Sequence, residues 1–186
     1  MTQLLVIHHA PTQSVQQLLD AAIRGANHPD IEGVEVTSVP ALAWARGEAD
    51  ETTIQQAAGY LIITPANFGY MSGAVKHVFD STFLKIGGSL DASGGASGNS
   101  GIMRRRPYGL VVHGRYDTTG AVRSVEGIVG ALGWQLAGEV PEIRRGMLPK
   151  SIWPPLRTSG LHWRSNCRTG RCKNPPRTHQ EAWGMQ

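Results

Sequence analysis

The sequence predicts an α/β fold built on a doubly wound, five-stranded parallel sheet. Two observations carry that prediction. Short uninterrupted apolar runs such as Leu4 to Ile7 and Tyr60 to Ile63 have the length and composition of strands buried on both faces. Between such runs lie segments whose apolar residues repeat with helical spacing, and the alternation of the two types implies right-handed crossovers.

The elements follow in order. Leu4-Leu5-Val6-Ile7 is the first strand, and it ends in the polar pair His8-His9. Thr12 is placed to cap a helix in which Val15, Leu18, Leu19, Ala22, Ile23 and Ala26 form one apolar stripe. Gly33 to Val39 reads as the second strand, Pro40 to Asp50 as loop, and Thr52 to Ala58 as a short helix. Tyr60 to Ile63 is the third strand, ending at Thr64-Pro65, where a proline suits a strand that no longer needs ladder donors. From a cap at Ser72, the residues Val75, Val78, Phe79, Thr82 and Phe83 make the next helical stripe. Residues 87–106 read as a flexible Gly/Ser insertion closed by Arg104-Arg105-Arg106, a solvated loop end. Tyr108 to Val112 is the fourth strand, stopping at His113-Gly114. A stripe of Val122, Val125, Ile128, Val129 and Leu132 follows, and Trp134 to Val140 is the fifth strand.

Beyond residue 143 the character changes. Residues 144–186 carry five prolines, three tryptophans and both cysteines, without helical or strand period. The expectation is a domain at 1–143 and an irregular or disordered basic tail at 144–186 that replaces the last helix. A change of reading frame would make such an ending. Loss of that helix would bare an apolar face near the first strand, which a homodimer or the Trp-bearing tail could cover, or leave a cofactor-poor remnant.

Charge sharpens the division. Residues 1–143 hold 9 Lys+Arg against 13 Asp+Glu, whereas the tail holds 9 Lys+Arg and the single acid Glu181. The basic excess belongs to the tail, so no nucleic-acid partner is expected for the domain. No run of 18 apolar residues occurs, and Met1-Thr2-Gln3 leads into the first strand without a basic leader, so the expectation is a cytoplasmic protein without a membrane span. Cys167 and Cys172 stand in a C-x4-C spacing that suits zinc poorly, and the adjacent His8 and His9 point to opposite faces of a strand, so no metal is expected.

In open α/β sheets, ligands bind beyond the carboxyl ends of strands where the strand order reverses. Three segments occupy such positions. His9, Pro11, Thr12, Gln13 and Ser14 lead into a helix N-terminus, whose free N–H groups and dipole favour a phosphate, although Pro11 removes one donor. Pro65, Ala66, Asn67, Phe68, Gly69, Tyr70 and Met71 combine a rigid proline with aromatic rings at a strand's end, where Phe68 or Tyr70 could pack on a flat ring; the alternative is that Phe68 and Met71 are core plugs beneath the loop. The third segment holds His113, Gly114 and Asp117: His113 either bonds a ligand or packs in the loop, and Asp117 either caps the helix near Thr119 or orients a ligand contact. No nucleophile or general base is evident, and no G-x-G-x-x-G follows a strand.

Residues 64–80, Thr-Pro-Ala-Asn-Phe-Gly-Tyr-Met-Ser-Gly-Ala-Val-Lys-His-Val-Phe-Asp, resemble the second flavin loop and following helix of the NADPH-dependent FMN reductase and quinone reductase families of the flavodoxin-like superfamily. The matching features are the Thr-Pro, the aromatic-Gly pair, the Met-Ser, and Lys76 with Asp80 in the helix. The third segment is similar to the loop bordering the flavin ring in those proteins. The resemblance spans residues 3–140 and implies a flavodoxin-like fold with FMN as cofactor. It further implies NAD(P)H as transient electron donor and a quinone or similar small molecule as acceptor, or alternatively a flavodoxin-type electron carrier.

Overall fold

The computed structural model describes residues 1–87 and 103–144. The expectations for the Gly/Ser insertion from residue 88 and for the tail from residue 145 lie outside the described residues.

Twelve elements are described. They are β1 (Thr2–His8), α1 (Gln13–Ala26), β2 (Val34–Pro40), α2 (Leu42–Ala45), α3 (Glu51–Gln56), β3 (Gly59–Asn67), β4 (Tyr70–Met71), α4 (Gly73–Ile86), β5 (Pro107–Gly114), α5 (Thr119–Ala131), β6 (Gln135–Leu136) and β7 (Glu142–Arg144). The main sheet runs β2-β1-β3-β5-β6, with β7 also on β5, and every pair in it is parallel. The chain leaves β1 toward β2 on one side and later returns to pair β3 on the other. The order therefore reverses between β1 and β3, and a crevice opens beyond their carboxyl ends.

Strand alternation sorts the core into two layers. Leu5, Ile7, Tyr60, Ile62, Tyr108, Leu110 and Val112 face one side, against Trp44, Ile54, Val75, Val78, Phe79, Val125 and Val129 of α2 to α5. Val6, Ile63 and Val111 face the other side, against Val15, Leu18, Leu19 and Ala22 of α1. Each fully buried aliphatic side chain of that stripe contributes about 1.5–3 kcal/mol. Both predicted caps form: Thr12 Oγ1 accepts from Val15 N at 3.4 Å, and Ser72 Oγ accepts from Ala74 N at 3.2 Å.

Four local readings change. The stretch read as loop from Pro40 to Asp50 contains α2, because Ala41 and Trp44 are buried and Trp44 Nε1 donates to Asp50 O at 3.1 Å. A four-residue helix is too short to show a period, so packing decides it. β3 does not stop at Pro65 but runs on to Asn67, since it leaves the parallel ladder there and pairs β4 antiparallel, Ala66 with Met71 and Asn67 with Tyr70. The single fifth strand expected over Trp134–Val140 is two short ones, β6 pairing the start of β5 and β7 its end. Trp134 precedes them and buries its ring on Tyr60, centroids 3.7 Å apart, and pairing with β5 resumes at Pro141, whose carbonyl accepts from Val112 N at 3.1 Å.

The Arg run is the fourth change. Arg106 is not a solvated end: its Nη1 donates to the carbonyls of Gln55 at 2.8 Å and Ala57 at 2.5 Å, and to the Tyr60 hydroxyl at 3.0 Å. It closes the C-terminus of α3, where carbonyls lack helical partners and a cation is favoured. Burial pushes the Tyr60 phenol up to about 12, against the pull of Arg106, so it stays a neutral hydroxyl.

Among the described residues no helix is long and apolar enough to cross a membrane, and no group of three His, Cys, Asp or Glu is placed to hold a metal ion.

Candidate functional site

The three segments singled out in the sequence meet at the reversal point. The first, from His9 to Thr12, links β1 to α1. His9 N donates to Ile63 O at 3.0 Å, so the loop starts pinned to β3. Pro11, Thr12 and Gln13 are exposed and Ser14 is half-buried. Thr12 supplies the cap, and the amides of Gln13 and Ser14 precede any carbonyl that the helix could offer them.

The second segment is a hairpin. Asn67 pairs with Tyr70 across a two-residue turn whose central residues, Phe68 and Gly69, both have positive φ, 52° and 77°. That combination marks a type I′ turn, the geometry that matches strand twist. Glycine adopts it freely, but phenylalanine pays for it in strain. Phe68 is nevertheless there, with its side chain wholly exposed, and Tyr70 beside it is half-exposed. Met71 is different: its side chain is 2% exposed and belongs to the core, so only its backbone faces the site. Pro65 is buried, Ala66 half-buried and Asn67 exposed.

The third segment, from His113 to Thr118, links β5 to α5. Pro65 and His113 are register partners, which sets the second and third segments side by side. Gly114 is obligatory, because a β-carbon there would meet Thr118 Cγ2 at 2.5 Å and Ala66 Cβ at 3.3 Å. Asp117 Oδ1 accepts from Thr119 N, the first amide of α5, at 3.0 Å, one residue ahead of the N-cap position Thr118. The buried Thr118 hydroxyl donates to the Glu142 carboxylate of β7. Arg115 lies over the Tyr116 ring, 5.3 Å from its centroid, and Tyr116 is 73% exposed.

Cross-links bind the segments together. Met71 N donates to Ser124 Oγ of α5 at 3.4 Å, and Ser72 Oγ lies 2.7 Å from His9 Nδ1. Ser72 N donates to the buried Thr64 hydroxyl at 3.0 Å. The sequence marked Ser72 only as a cap and did not mark Thr64, Arg115 or Tyr116 as site residues. Ser72 and His9 are 63 positions apart, and no local pattern announces such a pair. Tyr116 was visible as an aromatic in the third segment, which was the available signal.

The site's histidines favour their neutral forms. Burial lowers the pKa of His9 and of His113, and burial with a smaller repulsion from His9 lowers that of His8. His8 Nδ1 is buried without a hydrogen-bond partner, which adds to the cost of charging that ring. Lys76 and Asp80, the helix residues of the resemblance, pair with one another on the outer face of α4 rather than at the crevice. The arrangement can hold a flat ring beside exposed aromatic side chains and an anion at the start of α1; the Ser72 hydroxyl beside His9 is fully buried.

No family model matches the chain, nor does any curated protein sequence. Solved structures do match. One is an apo NADH:FMN oxidoreductase, with TM-score 0.66 and 12% identity over 89% of this chain and 90% of that one. Another is a flavodoxin from Streptococcus pneumoniae, with TM-score 0.62 and 12% identity over 89% and 99%. A flavodiiron core from Synechocystis matches with TM-score 0.65 and 14% identity over 88% of this chain, which spans 36% of that longer one. With the sheet order and the crevice described above, these likenesses establish that the chain has the flavodoxin-like fold.

Proposed function

We propose that the chain is an FMN-dependent oxidoreductase that takes electrons from NAD(P)H and passes them to a quinone or similar small acceptor. The observation that carries the reading is Phe68, a wholly exposed aromatic held at φ 52° at the mouth of the crevice. Nothing in the packing of the fold requires a strained, solvent-facing phenylalanine, and such strain concentrates where a ligand gives it a use.

The residues present fit the cofactor. Phe68 and Tyr70 would pack against the isoalloxazine, with the backbone of 65–71 and the segment holding His113, Gly114 and Asp117 along its edges. The amides and hydroxyls of Thr12 and Ser14, with Gln13 between them, would hold the phosphate, as helix N-termini do. When bound, FMN would supply the hydride-accepting chemistry. The protein's share is then orientation and exclusion of water, and exposed Tyr116 and Arg115 leave room for a donor or acceptor to stack beside the hairpin. The likeness of the fold to an NADH:FMN oxidoreductase and to a flavodoxin supports the reading.

The test is an absorbance spectrum of purified protein after addition of FMN, followed by NADPH. Retained flavin that bleaches within seconds supports the reading. Retained flavin that stays oxidised points to an electron carrier, and a colourless protein that rejects FMN defeats the flavin site altogether.

A further inference from the structure

Ser72 sits at the N-cap of α4, 0% exposed, and its hydroxyl has three neighbours. Oγ accepts from Ala74 N at 3.2 Å and from Val75 N at 3.4 Å. Those two bonds occupy its lone pairs, so its one proton goes to the remaining neighbour, His9 Nδ1, 2.7 Å away. An Nδ1 that accepts carries no proton, and the imidazole must therefore hold its proton on Nε2. Nε2 makes no hydrogen bond among the described residues and is not among the buried unpaired atoms, so this N–H reaches solvent. It does so in the segment that Pro11 deprives of an amide donor.

We propose that Ser72 is a positioning residue that holds His9 as the neutral Nε2–H tautomer, so that the first segment presents an imidazole N–H to a phosphate monoester in place of the donor that Pro11 lacks. The proposal rests on the reading of this crevice as an FMN site and names the group that recognises the phosphate. The tautomer is set in the folded chain before a ligand arrives, so no ring has to reorient on binding. The same bridge ties the phosphate segment to the helix that follows the Phe68 hairpin.

The experiment combines two readouts on the full chain. Nitrogen-15 NMR of the imidazoles gives the His9 tautomer, and fluorescence titration gives affinities for FMN and for riboflavin, which lacks the phosphate. Wild type is compared with His9→Phe, Ser72→Ala and Ser72→Thr; His9→Phe leaves the α4 cap intact and carries the test if Ser72→Ala unfolds. The expected result is an unprotonated Nδ1 and a protonated Nε2 that shifts on adding FMN or inorganic phosphate but not riboflavin. FMN affinity then falls about 10- to 100-fold in His9→Phe and Ser72→Ala, as for a lost hydrogen bond to a charged group, riboflavin affinity changes less than about twofold, and Ser72→Thr behaves as wild type. FMN binding that leaves Nε2 unmoved overturns the proposal, as does an equal loss for both flavins. If FMN is rejected yet inorganic phosphate moves Nε2, the flavin reading fails and the imidazole donor stands. A response to neither probe overturns both.

Discussion

Gly120, at the start of α5, lies so close to Gly69, at the tip of the β3–β4 hairpin, that a β-carbon on Gly120 would stand 2.2 Å from the Gly69 carbonyl oxygen. Backbone meets backbone there, so neither side can yield by turning a side chain. The contact locks the second and third segments of the site to one another.

Gly120→Ala is therefore expected to destabilise the fold by about 1–3 kcal/mol, as overpacking does, and to displace the hairpin. Gly127→Ala is the control in the same helix, since nothing lies within 4 Å of its β-carbon and φ is ordinary. That change should stabilise by about 0.5–1 kcal/mol, the helix advantage of alanine. Urea unfolding midpoints of the two variants check the pair, and equal midpoints would refute the close approach.

The type I′ turn separates stability from ligand binding at one residue. Phe68→Asn places a residue tolerant of positive φ where φ is 52° and removes an exposed ring, so the protein should gain up to about 1 kcal/mol. The same change should weaken flavin binding if the ring packs on the isoalloxazine, by the 0.5–1.5 kcal/mol or so of an aromatic contact. Thermal melts without ligand and fluorescence titration with FMN read the two effects separately.

Arg106 predicts an inequality within the arginine run. Arg106→Ala leaves the carbonyls of Gln55 and Ala57 without their charged donor and should cost about 1.5–3 kcal/mol. Arg106→Lys should recover only part of it, because all these bonds leave from Nη1 and the shorter lysine chain ends one atom short of that position. Denaturant unfolding gives both numbers.

Acid sensitivity follows from the site histidines. Burial lowers the folded pKa values of His8, His9 and His113 below the ordinary 6.5, so the unfolded chain binds protons that the folded one refuses. Their stabilising contribution is fully present above pH 6.5 and is lost as pH falls through the lowered folded values. Urea midpoints should fall as pH drops from 7.5 toward 5, and His9→Phe should fall less steeply than wild type. A midpoint that rises over that range contradicts the assignment.

The parallel sheet, the amphipathic helices and the two helix caps were all legible from residues close together in the chain. Leu4 to Ile7 and Tyr60 to Ile63 can only satisfy their apolar side chains on both faces by lying inside a sheet, and Thr12 and Ser72 act on amides two or three residues away. The candidate site was legible as three segments for a related reason: the crossover rule sends their strands to one edge.

What folding alone decided depends on groups far apart in sequence. Trp44 made a helix of a stretch without period by burying its ring, and Arg106 became a cap for α3 once the chain brought it to those carbonyls 49 to 51 positions away. Met71 went into the core while Phe68, three residues earlier, stayed in solvent, because the hairpin's turn points them to different sides. The bridge from Ser72 to His9 and the contact of Gly120 with Gly69 belong to this second class. A residue's spacing sets its local conformation, but its partners across the crevice are set only when the sheet has assembled and its strand ends meet.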